Sequence, residues 1–395
     1  MLAAFILIQA IALVVLAVRL LPGRTRLPPV APSLAGKHGS ISIVLATLNE
    51  AHRVRPCLDG LIRQAAVVGE IIVVDSGSTD GTVDIVGEFA ARDPRIRLLD
   101  DGALPSGWVG KVWALEHGLR AATGDWILGV DADTIPQQGL AGGALRAARA
   151  HRYDAVSFSP RFDIASAQER WLQPALLTTL IYRNGAAGTE TDAERVMANG
   201  QCFLARRDVL RSAGGYSSAR ASFCDDVTLA RHLARAGRRV GFLDGSRLYD
   251  VCAYTSAREA WREWGRSLDL KDASSSVRQW GDVLFLAITQ GTPLPTLMVL
   301  GLMAAVAGPA AIAAARPLIL TASLLLLVRV LLQFALAGSY ERRGLPFWLS
   351  PAADPLAALR ILLSTARRPT QWRGRRYPPL GQPVVASTTG ARPVE

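Results

Sequence analysis

Cysteine is scarce in this chain: Cys57, Cys202, Cys224 and Cys252 are the only four in 395 residues, and no two share a C-x-x-C spacing. That excludes a disulfide framework and points to reduced thiols in a cytoplasmic compartment. The amino terminus has no basic stretch ahead of its apolar core and no A-x-A site after it, which argues against a cleaved leader. Missing too is a basic stripe along a polar face: the net charge is +11, yet the arginines and lysines cluster beside apolar runs. Nucleic acid is therefore not the expected partner, because an anionic membrane surface and a phosphorylated ligand account for the charge.

What is abundant is apolar side chain, 50% of the residues, with mean hydropathy +0.22 and the excess at the two ends. Residues 1–21, MLAAFILIQAIALVVLAVRLL, supply the roughly 20 apolar positions that cross a bilayer and predict a retained anchor. Arg19, Arg24, Arg26 and Lys37 lie at or beyond its end, so the positive-inside rule puts residue 22 onward on the cytoplasmic side of a bacterial-type inner membrane. Pro28, Pro29 and Pro32 stiffen a linker over 22–39. A second membrane region is expected over 273–368. There TPLPTLMVLGLMAAVAGPAAIAAA and PLILTASLLLLVRVLLQFALAG predict a hairpin of two spans near 294–337, parted at Arg316 and Pro317. Arg329 falls inside the second span, where a charge needs a partner, water or a headgroup, and it is expected to line a cleft. The proline-broken stretch that follows predicts an in-plane helix, and 369–395 a basic motif with a disordered tail.

Between these ends, residues 40–272 alternate strand and helix patterns. ISIVLAT (41–47), EIIVVDS (70–76), RIRLLD and WILGVD read as buried strands with amphipathic helices between them, which predicts a parallel α/β sheet. Ligands of such sheets sit beyond the carboxyl ends of the strands, where Thr47, Asp75 and Asp131 fall. In WILGVDADT (126–134), Asp131 and Asp133 can face one hard cation that also holds a diphosphate; the plain alternative is a strand end with two solvated acids. DSGSTDGT (75–82) places Asp75 to accept from a base or ribose, or else makes only a capped turn. TLNE (47–50) offers Asn49 and Glu50, readable equally as a helix start. Lys111 in GWVGK can reach a phosphate, or is simply a lysine in the first turn of a helix. Asp225 and Asp226 open the helix VTLARHLARAG, either as caps or with one of them as a general base. Arg262 and Arg266 lie four apart in REAWREWGRSLDLKD, as a diphosphate clamp or a solvated basic face.

ATLNE, VVDSGSTDGT, GWVGKVWALEHG and VDADT, in this order, resemble the signature set of the family 2 glycosyltransferases with the GT-A fold, over residues 40–270. The resemblance implies an α/β, Rossmann-like nucleotide-diphospho-sugar transferase domain at 40–272, set between N-terminal and C-terminal transmembrane helices. It implies that Thr47, Asn49, Glu50, Asp75, Ser76, Lys111 and Asp131 bind a nucleotide sugar, expected to be a UDP-sugar. By the same token Asp131 and Asp133 hold a divalent cation, Mg2+ or Mn2+, and Asp226 is the base of an inverting transfer. Asp225, Arg262 and Arg266 are candidates on the acceptor or diphosphate side. The first motif departs from the family, with Ala-Thr-Leu where Pro-Ala-Tyr is usual, which weakens the case for Thr47. The Q-x-x-R-W motif of processive polysaccharide synthases is missing, against polymer synthesis, and no Gly-rich basic motif near the first strand supports a nucleotidyltransferase. QWRGRRY (371–377) resembles a terminal motif of membrane-attached members that act on isoprenoid lipids, including carotenoid- and hopanoid-associated transferases; the plain alternative is an electrostatic anchor of Arg373, Arg375 and Arg376 to anionic lipid. A lipid hydroxyl is thus the expected acceptor. A polyprenyl-phosphate sugar synthase and a nonenzymatic membrane scaffold stand as alternatives, and the residues carry no signal of oligomeric state.

Overall fold

The computed structural model describes residues 2–186, 193–252, 254, 256–268, 270–367, 371–372 and 375–376. Helix α1 (Leu2–Leu20) leaves Leu7, Ile11, Val14 and Val18 more than half exposed, as a lipid-facing surface would be. A 3₁₀ turn at Leu21–Thr25 and an extended run lead to β1 (Ile41–Thr47). Then follow α2 (Val54–Ile62), β2 (Val68–Asp75), α3 (Thr82–Ala90), β3 (Ile96–Asp100), α4 (Gly110–Ala121) and β4 (Trp126–Asp131). After a short β5 (Thr134–Pro136) come α5 (Leu140–Ala150), β6 (Ala155–Ser159), β7 (Arg161–Asp163), α6 (Ala167–Asn184), β8 (Cys202–Arg206) and α7 (Arg207–Ser212). The globular part closes with α8 (Asp225–Arg235), β9 (Val240–Asp244), β10 (Tyr249–Cys252) and α9 (Ala257–Ser267).

The main sheet has the order β3-β2-β1-β4-β8-β6-β9. Its first four strands are parallel, as the alternating pattern predicts, but β8 runs antiparallel to both β4 and β6, so the sheet is mixed. The reason lies in α6, which leaves the sheet to pack against α9 and the C-terminal helices; the chain then re-enters from the carboxyl end of β4 instead of crossing back beneath it. Residues alternate between two cores. Ile43, Leu45, Ile71, Val73 and Leu128 meet α2, α3 and α5, while Val44, Ile72, Val74 and Ile127 meet α4 and α8. With both faces covered, these strands read as continuous apolar runs. A second sheet, β5-β10-β7, flanks the ligand edge.

Gly118 lets α4 lie close on β1: a Cβ there would stand 2.3 Å from Val44 Cγ1, in the middle of a strand that cannot yield. Gly118→Ala gains helix propensity but overpacks this contact, and a net loss of about 1–2 kcal/mol is expected in thermal or urea unfolding.

Beyond α9 the chain continues through α10 (Ser276–Leu286), a π-turn at Ala287–Gly291, α11 (Pro293–Ala307), α12 (Arg316–Leu336), α13 (Gly344–Trp348) and α14 (Asp354–Ala366). Leu2–Arg24 and Pro309–Ser339 are each long and apolar enough to cross a membrane, and Ser276–Gly291 with Pro293–Ala307, bent by 43°, would make a third span if taken together. The hairpin does not turn at Arg316 and Pro317. It turns at Gly308, whose φ of 83° suits glycine, while Pro317 sits in the first turn of α12, where a missing N–H costs no helical bond. Leu345, Trp348, Leu349, Leu356, Leu359 and Leu362 are exposed along α13 and α14, as an in-plane helix pair requires.

Arg329 does not line a cleft. It is 2% exposed; its Nε lies 3.0 and 2.9 Å from the two carboxylate oxygens of Asp354, while Nη1 donates to Gln333 Oε1 at 2.6 Å and Nη2 to Ser350 Oγ at 3.2 Å. The low-dielectric bundle supplies the partner that a buried guanidinium requires, and that partner is a carboxylate two helices further along the chain, at the start of α14. Of QWRGRRY, the backbone of Gln371–Trp372 (β11) pairs antiparallel with Arg375–Arg376 (β12); Arg373 and Tyr377 lie outside the described residues, as does the tail after Pro378.

Candidate active site

The register of the sheet sets three strand ends in a row, with Thr47 beside Asp75 and Ala46 beside Asp131. β8 enters antiparallel next to β4, Cys202 opposite Val130, and so brings Gln201 to the end of β4 where the chain turns through Ala132 to Asp133. α4 points its first turn, with Lys111, at the same place, and α8 begins there with Asp225 and Asp226.

Around β4 the acids are crowded: Asp225 is buried, and Asp131, Asp133 and Asp226 are partly so. Lys111 Nζ lies 2.8 and 2.9 Å from the two oxygens of Asp131 and 3.9 Å from Asp225 Oδ1. Burial acts to lower the Lys111 pKa, yet the combined pull of Asp131, Asp225 and Asp226 overrides it and holds the ammonium above the ordinary lysine value. Burial and then the neighbouring Asp131 push the Asp133 carboxyl upward. Asp225 is pushed up to about 6, by burial first, with Lys111 opposing and Asp226 and Asp131 adding to it. Both oxygens of Asp133 accept from Gln201 Nε2 at 3.3 Å. Gln201 Oε1 in turn accepts from Asn199 Nδ2 at 3.0 Å, which fixes the orientation of that amide. Asp226 Oδ2 accepts from the Gly200 N–H at 2.7 Å and Oδ1 from Val227 N–H at 2.8 Å, so the base candidate is held at a helix start.

Two carboxylates under mutual repulsion, with a lysine ammonium standing in as counter-ion, suit Mg2+ or Mn2+, which bind through one or two carboxylates plus substrate phosphates. Among the described residues no group of three or more His, Cys, Asp or Glu side chains could hold an ion, so a cation at this pair would take its remaining ligands from water or phosphate oxygens.

Two cavities meet here, and Lys111, Asp131, Asp133 and Arg266 line both. The smaller, about 70 Å³, runs along Thr47, Glu50 and Ser76. The larger, about 750 Å³, has Asp225, Asp226 and Gln201 at one side and an apolar wall from α1, α6 and α12 at the other, including Ala17, Leu177, Ile181, Leu332 and Ala335.

Not every expected residue points in. Asp75 spends its carboxylate on its own turn: Thr47 Oγ1 and Ser78 Oγ donate to Oδ1 at 2.9 and 2.5 Å, and the Gly77 and Ser78 N–H groups to Oδ2 at 3.0 and 2.8 Å. Asn49, at φ 55°, pins the neighbouring loop by accepting from the Thr79 N–H and donating its own N–H to Ser78 Oγ. Arg262 is 75% exposed on Glu263, so the pair with Arg266 is not a clamp; one helical turn separates a solvent-facing arginine from a cavity-lining one. Sequence reasoning overlooked Gln201 and Asn199, because only the antiparallel entry of β8 brings them to the acids.

Residues 42–214 match the Glycosyl transferase family 2 profile. The chain carries a family 2 glycosyltransferase domain. This domain has the GT-A α/β fold with a mixed sheet, and long apolar helices precede and follow it. A mannosyltransferase from Pyrobaculum calidifontis, solved in complex with GDP-Man and Mn2+, shares the fold with TM-score 0.57 at 20% identity, over 93% of this chain and 98% of that one. The glycosyltransferase YibD of Escherichia coli K12 is 33% identical over 93 residues, 24% of this chain and 26% of its own length. The PGL/p-HBAD biosynthesis glycosyltransferase of Mycobacterium bovis is 38% identical over 96 residues, 23% of this chain and 34% of its own. The likeness thus spans about a quarter to a third of the curated relatives' length.

Proposed function

We propose that this glycosyltransferase moves a sugar, with inversion, from a nucleotide sugar to the hydroxyl of a lipid acceptor at the cytoplasmic face of a membrane. The observation that carries this reading is the larger cavity, in which the acids at the end of β4 and the start of α8 share one space with side chains of the apolar helices α1 and α12. A water-soluble acceptor has no use for that wall, whereas the tail of a lipid entering between α1 and α12 would lie along it. The arginines following α1 favour the cytoplasmic side. The isoprenoid reading rests on QWRGRRY, whose side chains lie outside the described residues.

The chemistry follows from the positions. The nucleotide takes the smaller cavity along Thr47, Glu50 and Ser76, and its diphosphate lies toward Lys111 and Arg266. Asp131 and Asp133 would hold Mg2+ or Mn2+, which when bound supplies charge stabilisation to the departing diphosphate. The acceptor hydroxyl enters from the apolar side and attacks the anomeric carbon as Asp226 takes its proton. Asp225 beside it stays close to Lys111 and shapes the field around the base. Polyprenyl phosphate is the second reading. Arg24 and Arg26 line the larger cavity just past the membrane helix, where a lipid phosphate would meet them.

Filling the cavity tests the acceptor assignment. Ala335 lines it on α12 and lies away from the smaller cavity. Ala335→Trp is expected to cut transfer from labelled UDP- or GDP-sugars to a cellular lipid extract by at least about tenfold, with nucleotide affinity unchanged. Transfer at the parental rate would remove the lipid from this cavity.

A further inference from the structure

Each acid of the D-x-D pair already has a protein donor: Asp131 has the Lys111 ammonium on both oxygens, and Asp133 has the Gln201 amide. The two donors differ in kind. Gln201 is neutral and locked by Asn199, so it orients Asp133 without opposing a cation. Lys111 carries the charge that a divalent ion would bring, and it occupies the carboxylate face that such an ion needs. Its seat is built: the side chain is 14% exposed and lies close against Gly200, where a Cβ would stand 2.9 Å from Nζ.

We propose that Lys111 is a displaceable internal counter-ion that keeps the divalent cation out until the diphosphate arrives. Alone, a cation would have to displace the ammonium from Asp131 and leave both positive charges in one buried space. With the diphosphate present, Lys111 exchanges a carboxylate for a phosphate oxygen, and Asp131 becomes free to ligate the ion. The diphosphate and the cation are thereby coupled through one side chain, and by linkage each raises the affinity of the other by the same factor. A site of this kind does not load with free metal between turnovers.

This inference rests on reading Asp131 and Asp133 as cation ligands, and the experiment separates the two claims. Mn2+ binding to the purified full chain in detergent is followed by electron paramagnetic resonance, without nucleotide and with UDP or GDP. The wild-type chain is expected to bind Mn2+ weakly without nucleotide. Lys111→Met should bind it at least about tenfold more tightly under that condition, and should gain less than the wild type from added nucleotide. Lys111→Arg, which keeps the charge, should bind no more tightly than the wild type. If Lys111→Met is folded but too unstable for titration, a larger rise of its melting temperature with Mn2+ alone than the parent shows supports the proposal, and no such rise overturns it. If Lys111→Met does not fold at all, Lys111→Gln is held to the same expectations. Equal nucleotide-free affinity in the neutral variant and the wild type, or equal gains from nucleotide in both, overturns the role of Lys111. Absence of saturable Mn2+ binding in every form, even with nucleotide, removes the cation site itself and the lysine's role with it.

Discussion

Asp226→Asn lowers kcat for transfer to a lipid hydroxyl by about 10²–10⁴-fold, the range set by loss of a positioned general base, while nucleotide affinity stays within about twofold. The split follows from geometry. Asp226 borders the larger cavity and not the smaller one where the nucleotide is placed, so its direct contact is with the acceptor. Asparagine keeps an oxygen for the Gly200 N–H, so the start of α8 holds and the change is chemical more than structural. The measurement is steady-state transfer to lipid extract, alongside nucleotide binding by calorimetry. An unchanged kcat would show that Asp226 is not the base. Activity kept on a polyprenyl phosphate but lost on hydroxyl lipids would shift the assignment to the phosphate acceptor, which needs no proton removed.

The second large effect lies away from the chemistry. Arg329→Met should destabilise the helical bundle by about 3–5 kcal/mol, because the buried Asp354 carboxylate loses the guanidinium that compensates it. Gln290 Nε2, 3.0 Å from Asp354 Oδ1, is left as a neutral donor and cannot replace the ion pair. Arg329→Met combined with Asp354→Leu should recover most of that loss, since apolar residues of similar volume pack where the pair stood. Thermal unfolding in detergent of the single and double variants decides the matter. A single variant as stable as the parent would mean that water reaches this pair and that it is not buried in solution.

The elements of the globular part were legible because both sheet faces are covered: ISIVLAT and EIIVVD are apolar on both faces through their middles, and polar residues fall only near their ends. Asp131 and Asp133 were legible because their strand is apolar up to its last residue, so an acid there meets the edge where ligands bind. Asp75 shows where such reading stops. Its position at the end of β2 is legible, but the four donors around its carboxylate come from the conformation of its own turn and from Thr47 on the neighbouring strand. Asn49 differs in the same way, its side chain being drawn to the Thr79 N–H of a loop 30 residues away. The split between Arg262 and Arg266 depended on how α9 is rotated against α14, where Gly265 lets the Arg360 side chain approach closely.

The sequence by itself determined the alternation of strands and helices, the apolar segments at both ends and the acids that collect at the strand ends, because burial period and charge are local properties of the chain. Only the tertiary structure decided that β8 enters antiparallel with Gln201 beside Asp133, that Lys111 stands on Asp131, and that Arg329 is paired with Asp354 instead of facing a ligand. Those contacts join residues 20 to 68 positions apart in the described chain, and which of many polar side chains meets which is fixed by packing, where an unpaired buried charge is too costly to persist.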